Sequence, residues 1–310
     1  MKKLNLISLF ILLATIIGCT KDITVDLPQA EQKIVVEGSM EQGQPPVILL
    51  SKSIGYFEST DLNTLQNLYI KNATVTLNDG TSTVTLDKIC TSTLPDSTLQ
   101  AIAPLVGIDY ESLRNIDICI YTSFTMLGEI GKTYTLTVNA DGKTVTSTAK
   151  IPALIRPNYY FWKPQPGFDD YGYLWFNLTD PPKLGDNYRI FVKRKGVDNS
   201  FVPVLGSVYN DDFSNDLTFD FYVARGHLPN DTTSADVEGT EFYFKRNDTL
   251  IIKFCTIDRG VYEFYRTFEQ EVFNNGNPFA SPTTIKTNID GGLGVWACYG
   301  ASYDTLIVSD

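Results

Sequence analysis

The single histidine in 310 residues, His227, sits in Arg225-Gly226-His227-Leu228-Pro229, a turn-like stretch. Any Ser-His-Asp or Cys-His mechanism has to pass through it. No nucleophile neighbours it, so a solvated loop histidine is the simpler reading, and one histidine excludes a histidine-based metal centre. Carboxylates are plentiful, and among 36 acids some pair always falls at glycosidase separation. No local signature selects one. Asn210, Asp212, Ser214 and Asp216 alternate like the early ligands of a calcium loop. Asn215 then stands where such a loop needs glycine, and Phe221 where it needs glutamate. A polar turn fits better, and neither a metal nor a cofactor is expected. Gly291-Gly292 and Gly294 precede an extended segment, not a helix N-terminus, so they read as turn and close-packing glycines.

Five cysteines carry the remaining chemistry. Cys19 closes a segment with three parts: Lys2 and Lys3, an apolar run from Leu4 to Ile17, then Gly18. That is the layout of an export signal over residues 1–18, too short for the roughly 20 apolar residues of a membrane-spanning helix. Ile16-Ile17-Gly18-Cys19 resembles the lipobox of bacterial lipoproteins, which implies acylation of Cys19 by fatty chains such as palmitate. Each buried methylene is worth about 0.8 kcal/mol, so two or more chains hold a protein stably on a membrane. Thr20-Lys21-Asp22 resembles the lysine-plus-acid tag of surface-exposed lipoproteins, and residues 19–32 read as a lipidated tether. Cys90, Cys119, Cys255 and Cys298 remain. An even number in an exported chain suggests disulfides, with three connectivities open. Pairs within each half, Cys90–Cys119 and Cys255–Cys298, are favoured over the alternative of buried free thiols. No spacing matches a zinc site.

The densest apolar feature is aromatic: Tyr159-Tyr160-Phe161-Trp162, then Phe168, Tyr171, Tyr173 and Trp175. Exposed rings at these positions would stack on sugar faces or fill a partner's pocket. Buried ones would form core. Tyr160, Trp162, Tyr173 and Trp175 are the first candidates for a binding surface.

The elements that must hold these residues are mostly strands. Ile34–Gly38, Pro46–Leu50, Ala73–Leu77, Ser82–Leu86, Tyr134–Val138 and Thr144–Thr148 are short β segments, and Asp79-Gly80 and Asp141-Gly142 make hairpin turns. Asp96–Leu105 and Tyr110–Arg114 look helical and lie between Cys90 and Cys119. The second half is again β, at 174–178, 188–193, 218–223, 241–245, 250–256, 295–299 and 305–308. It also has one helix whose Val261, Phe264, Tyr265, Phe268 and Val272 form an apolar stripe read as core. Asp258 caps its start, and Asn275, Gly276 and Pro278 end it. The fold class is therefore mainly β: two immunoglobulin-like β-sandwich domains, 33–151 and 158–310, joined by a proline-bounded linker at 152–157. The first has a small helical insertion and the second one packed amphipathic helix.

Several segments resemble a Bacteroidetes outer-membrane lipoprotein family, domain of unknown function 4249. They are Ile34–Gly38, Gly131–Leu136, Asp180-Pro181-Pro182 with Asn187-Tyr188-Arg189, Tyr262–Phe268, Asn277–Phe279, and Asn288–Trp296. The resemblance carries no catalytic residues. It implies an outer-membrane lipoprotein encoded beside TonB-dependent receptor barrels, with a role as accessory to uptake. The net charge of −11 becomes −13 without Lys2 and Lys3 and repels phosphate backbones, so nucleic acid is excluded as a partner. The expectation is a non-enzymatic lipoprotein, anchored in the outer membrane through Cys19 and facing the exterior. It binds a glycan or other nutrient, or assists a receptor barrel. The alternatives are a carboxylate-based hydrolase of glycans or peptides and a structural or adhesive envelope protein.

Overall fold

A computed structural model describes residues 31–55, 64, 67–106, 110–227, 237–274, 281 and 283–309. The expected signal segment, Cys19, most of the tether and the expected helix stop at 275–278 lie outside the described residues. In the first half the strands are β1 (Ile34–Glu41), β2 (Val47–Lys52), β3 (Ala73–Asn78), β4 (Thr83–Thr85), β5 (Asp87–Cys90), β6 (Cys119–Thr122), β7 (Thr133–Ala140) and β8 (Lys143–Lys150). Helices α1 (Asp96–Val106) and α2 (Tyr110–Asn115) lie between β5 and β6. The second half adds β9 (Tyr159–Gln165), β10 (Phe168–Thr179), β11 (Asn187–Arg194), β12 (Val202–Asn210), β13 (Thr218–Val223), β14 (Phe244–Lys245) and β15 (Thr249–Ile257). Helix α3 (Arg259–Asn274) and the 15-residue β16 (Leu293–Ile307) complete it.

Strict alternation builds the strands. On β7, Tyr134, Leu136 and Val138 are buried while Thr133, Thr135 and Thr137 face out, and β3 and β8 repeat the pattern. The expected Asp-Gly turns form, with Asp141 and Gly142 both at positive φ.

Three sheets result. An eight-stranded sheet runs β12-β11-β15-β16-β1-β2-β6-β5, and a four-stranded sheet runs β4-β3-β7-β8. A second four-stranded sheet has β10 at its centre, with β9 on one edge and β13 and β14 on the other. Each small sheet closes a core against the large one. The first core holds Val36, Ile48, Leu50, Leu77, Leu136 and Trp296; the second holds Leu174, Phe176, Ile190, Val223, Ile252 and Phe254. On the opposite face of the large sheet, α3 packs Val261, Tyr262 and Tyr265 against Cys255, Val295, Ala297 and Tyr299.

The mainly β, sandwich-like reading holds, but residues 152–157 do not divide the chain as expected. Gln32–Asp310 forms one compact unit, because β16 belongs to both halves. Its first part pairs in parallel with β1, from Val35↔Leu293 to Glu41↔Tyr299, and its second part pairs with β15, from Thr256↔Gly300 to Thr249↔Ile307. The expected strands 295–299 and 305–308 are one strand. Lys253 on β15 reaches across it to Glu41 on β1 at 2.5 Å, and Tyr303 donates to the same carboxylate at 2.6 Å.

Cys90 and Cys119 face each other in register on β5 and β6 and are joined by a disulfide. It staples α1 and α2, whose Leu99, Ala103 and Leu113 form a small core of their own. The expected Cys255–Cys298 bond is overturned, and both thiols are free and buried. Cys255 lies opposite Ala301, three positions from Cys298. An odd offset puts the two thiols on opposite faces of the sheet, one under α3 and the other in the first core. Asp258 caps α3 as expected, accepting from the Val261 N–H at 2.9 Å. The apolar stripe holds only for the first two turns: Phe268 and Val272 are exposed, as is Phe273. At that depth the helix meets the sheet through polar groups instead, with Glu269 accepting from the Ser207 N–H at 2.8 Å.

Candidate functional site

The residues that carry the family resemblance build the seam between the halves. Trp296 is fully buried, and a Cβ on Gly38 would stand 2.7 Å from its ring, so β1 must have glycine there. Asn288 replaces a missing strand on the edge of β16, exchanging bonds with the Trp296 N–H at 2.9 Å and its carbonyl at 2.8 Å. Gly294, at φ 94°, runs so close to Val36 that any side chain would strike its carbonyl. Arg189 is buried, donates to the Tyr299 hydroxyl at 2.9 Å and lies over the Tyr265 ring. Tyr188 donates to Asp180. Apart from the half-buried Asn288, Gly294 and Tyr265, these groups touch one another, not solvent.

Candidate nucleophiles fare no better. His227 is exposed, its Nε2–H donates to the Glu241 carbonyl at 2.7 Å, and its ring meets Phe242 edge-on. Burial pushes the Cys255 thiol up to about 12, which removes the thiolate a nucleophile needs. The alternating residues 210–216 do not converge. Asp212 and Asp216 are exposed, and Asn210 donates to Asp212 within the turn.

The aromatic candidates split by parity. In the β9–β10 register Trp162 faces Leu174 and Tyr160 faces Phe176, all directed into the second core. Trp162 is buried, with its indole N–H on the Phe244 carbonyl at 3.3 Å. Burial pushes the Tyr160 phenol well up. These two are core, not surface. Trp175 faces Phe161 on one side and Tyr222 on the other, and these rings lie on the outer face together with Tyr173. There the rings run in sequence: Phe161 stacks on Trp175 at 5.9 Å, Trp175 meets Tyr222 at 5.2 Å, Tyr222 meets Tyr173 at 4.8 Å, and Tyr173 meets Tyr243 at 5.0 Å. Tyr159 and Tyr222 are half exposed at the margins. Lys163 holds its ammonium 4.3 Å from the Trp175 centroid. Below the rings the same face turns polar, with Asn177, Thr179, Thr218 and Asp220 bonded to one another.

Tyr222 and Tyr243 were missing from the sequence-based candidates. The readable signal for Tyr222 was the alternation Thr218-Phe219-Asp220-Phe221-Tyr222, which required the register of β13 on β10 to interpret. Tyr243 comes from the loop before β14, and no periodicity marks it.

Behind the ring-bearing sheet, a largely apolar cavity of about 530 Å³ opens at one end of the second sandwich. Phe176, Tyr188, Tyr209, Phe221 and Phe254 line it, and Phe213, 97% exposed, stands at its rim.

No curated protein matches the chain significantly. The family model described as "Domain of unknown function (DUF4249)" matches residues 20–304. With that match spanning both cores and the strand they share, the chain belongs to this family of unknown function.

Proposed function

We propose that the protein is a non-enzymatic, lipid-anchored binding protein of the outer membrane. It captures a neutral glycan on the outer face of the β9–β10–β13 sheet and serves a TonB-dependent receptor barrel. The observation that carries this reading is the run of partly exposed rings from Phe161 through Trp175, Tyr222 and Tyr173 to Tyr243. Solvent-facing strand positions have no packing reason to hold large aromatics, and contiguous exposed apolar surface marks an interaction site. A flat ring surface bordered by Asn, Thr and Asp offers stacking beside hydrogen bonding. Single-stranded nucleic acid also stacks on ring platforms, but it needs a positive groove. At −11 overall, with Lys163 over the rings, this chain favours an uncharged ligand.

Cys19 supplies the anchor in this reading, and the family context supplies the barrel. The clustered carboxylates do not favour the hydrolase alternative, since Asp180 and Asp211 are both fully buried.

The test is affinity capture of the tagged full-length protein from detergent-solubilised outer membranes, followed by mass spectrometry. The expected result is one integral barrel in stoichiometric amount, lost with Cys19→Ala. Membrane-bound protein that comes out alone would contradict the accessory role.

A further inference from the structure

We propose that Asp180, Asp186 and Asp211 form a divalent-cation site at the rim of the second sandwich, with calcium as its occupant. One carboxylate oxygen from each lies within 4.8 Å of the others. Oxygens on a calcium ion sit about 2.3–2.6 Å from it, so those on opposite sides are roughly 5 Å apart, and this spacing matches a shared shell.

The second observation is a set of enclosed oxygens short of donors, although the Asp216 N–H also approaches the Asp180 carboxyl. Asp180 is fully buried; its Oδ1 accepts from the Tyr188 hydroxyl, and its Oδ2 has no partner. Asn187 is equally buried, and its Nδ2 donates to the Gly185 carbonyl at 2.9 Å, leaving Oδ1 without a partner. Asn215 Oδ1, on the turn that carries Asp211, is also enclosed and without a partner, on a residue that is itself partly buried. A buried acceptor with no donor costs about 1–3 kcal/mol, and more when charged. Three such acceptors on two adjoining segments call for a positive group.

The described residues supply none in direct contact. Among the described residues no lysine or arginine forms an ion pair with any of the three carboxylates. Lys183, exposed on the adjoining loop, is the positive group that eases Asp186. The three carboxylates therefore face one another's charge at close range. The segments are nonetheless firmly tied: Asp211 Oδ2 accepts from the Gly185 N–H at 2.7 Å and the Asp186 N–H at 2.9 Å. All the donors to a cation are oxygens on irregular backbone, which suits calcium over zinc or copper. The same turn carries Phe213, Ser214 and Leu217 of the cavity rim, so the ion would brace that opening. The site is independent of the outer ring face.

The test uses the full-length protein in detergent, stripped with EDTA and titrated with terbium under tyrosine excitation, because the Tyr188 hydroxyl rests on Asp180. The expected result is saturable emission that calcium displaces and equal magnesium does not. Asp186→Asn, at the least buried of the three, weakens it at least tenfold with an unchanged circular dichroism spectrum. Asp212→Asn, on the turn but outside the cluster, leaves it unchanged. Millimolar calcium also raises the wild-type Tm. Absence of emission together with absence of a calcium-dependent Tm shift would overturn the site. So would emission that Asp212→Asn abolishes and Asp186→Asn does not.

Discussion

The two four-stranded sheets occupy equivalent positions, each closing a core against the shared large sheet, yet their outer faces have opposite chemistry. On β3, β7 and β8 the outward positions are Thr74, Thr76, Thr135, Thr137, Thr146 and Thr148, a threonine face cross-linked only by contacts such as Thr135 to Thr148. On β9, β10 and β13 the outward positions hold Phe161, Trp175, Tyr173 and Tyr222. Threonine has high strand propensity and is content in water, so the first face shows what this architecture requires when only folding is at stake. The rings of the second face are additional to that requirement. The concavities follow the same division: beside the threonine sheet lies a polar depression edged by Lys71, Lys88 and Lys143, while the second sandwich holds the apolar cavity.

The largest expected effect tests whether the two sandwiches are one folding unit. Trp296→Ala empties the first core beneath the shared strand and should cost about 3–5 kcal/mol. Calorimetry should show one transition moving down for the whole chain, and two separating transitions would break the account of β16 as a common strand. Next comes an asymmetry confined to the first sandwich. Replacing Cys90 and Cys119 by serine releases a 29-residue loop and should cost about 3.5 kcal/mol on the chain-entropy relation. Hydrogen exchange should accelerate over 96–115 first.

The third prediction addresses the outer faces directly. Trp175→Ala and Tyr222→Ala should each weaken ligand binding at least tenfold, about 1.4 kcal/mol, by the usual conversion. Thr76→Ala and Thr137→Ala should leave binding unchanged. The smallest effect lies on α3, where Lys286, Arg266 and Arg259 gather around Glu263 and hold its carboxyl down to about 2. A depressed carboxyl contributes stability above its unfolded value near 4.5, and that contribution is lost as pH falls towards about 2. Glu263→Gln should therefore flatten the acid limb of the stability profile, costing under about 1 kcal/mol at neutral pH, because surface pairs are worth little.

Much of this fold was legible in the sequence because period-2 alternation and Asp-Gly turns are local signals. The hairpins at 79–80 and 141–142, the helical insertion and the Asp258 cap all follow from neighbours in the chain. The disulfide of the first half was legible too, since Cys90 and Cys119 bracket one insertion. What failed needed register. Cys255 and Cys298 face opposite sides of a sheet whose strand order no local pattern encodes. The division at 152–157 failed because a 15-residue strand pairing with both halves looks, locally, like two strands separated by residues 300–304. Trp162 and Trp175 are both aromatic residues in aromatic company, and only the β9–β10 pairing separates core from surface. The carboxylates Asp180, Asp186 and Asp211 sit at spacings of 6 and 25 that match no metal motif, and tertiary structure alone gathers them.

The most direct test of the ring face is a glycan array of neutral oligosaccharides probed with the full-length protein in detergent. Wild type, Trp175→Ala, Tyr222→Ala and Thr137→Ala would be compared at matched folding by circular dichroism. The account predicts that wild type and Thr137→Ala bind the same set of glycans, and that both ring variants lose it. Binding that persists undiminished in Trp175→Ala and Tyr222→Ala, or no binding by the wild type, would contradict it.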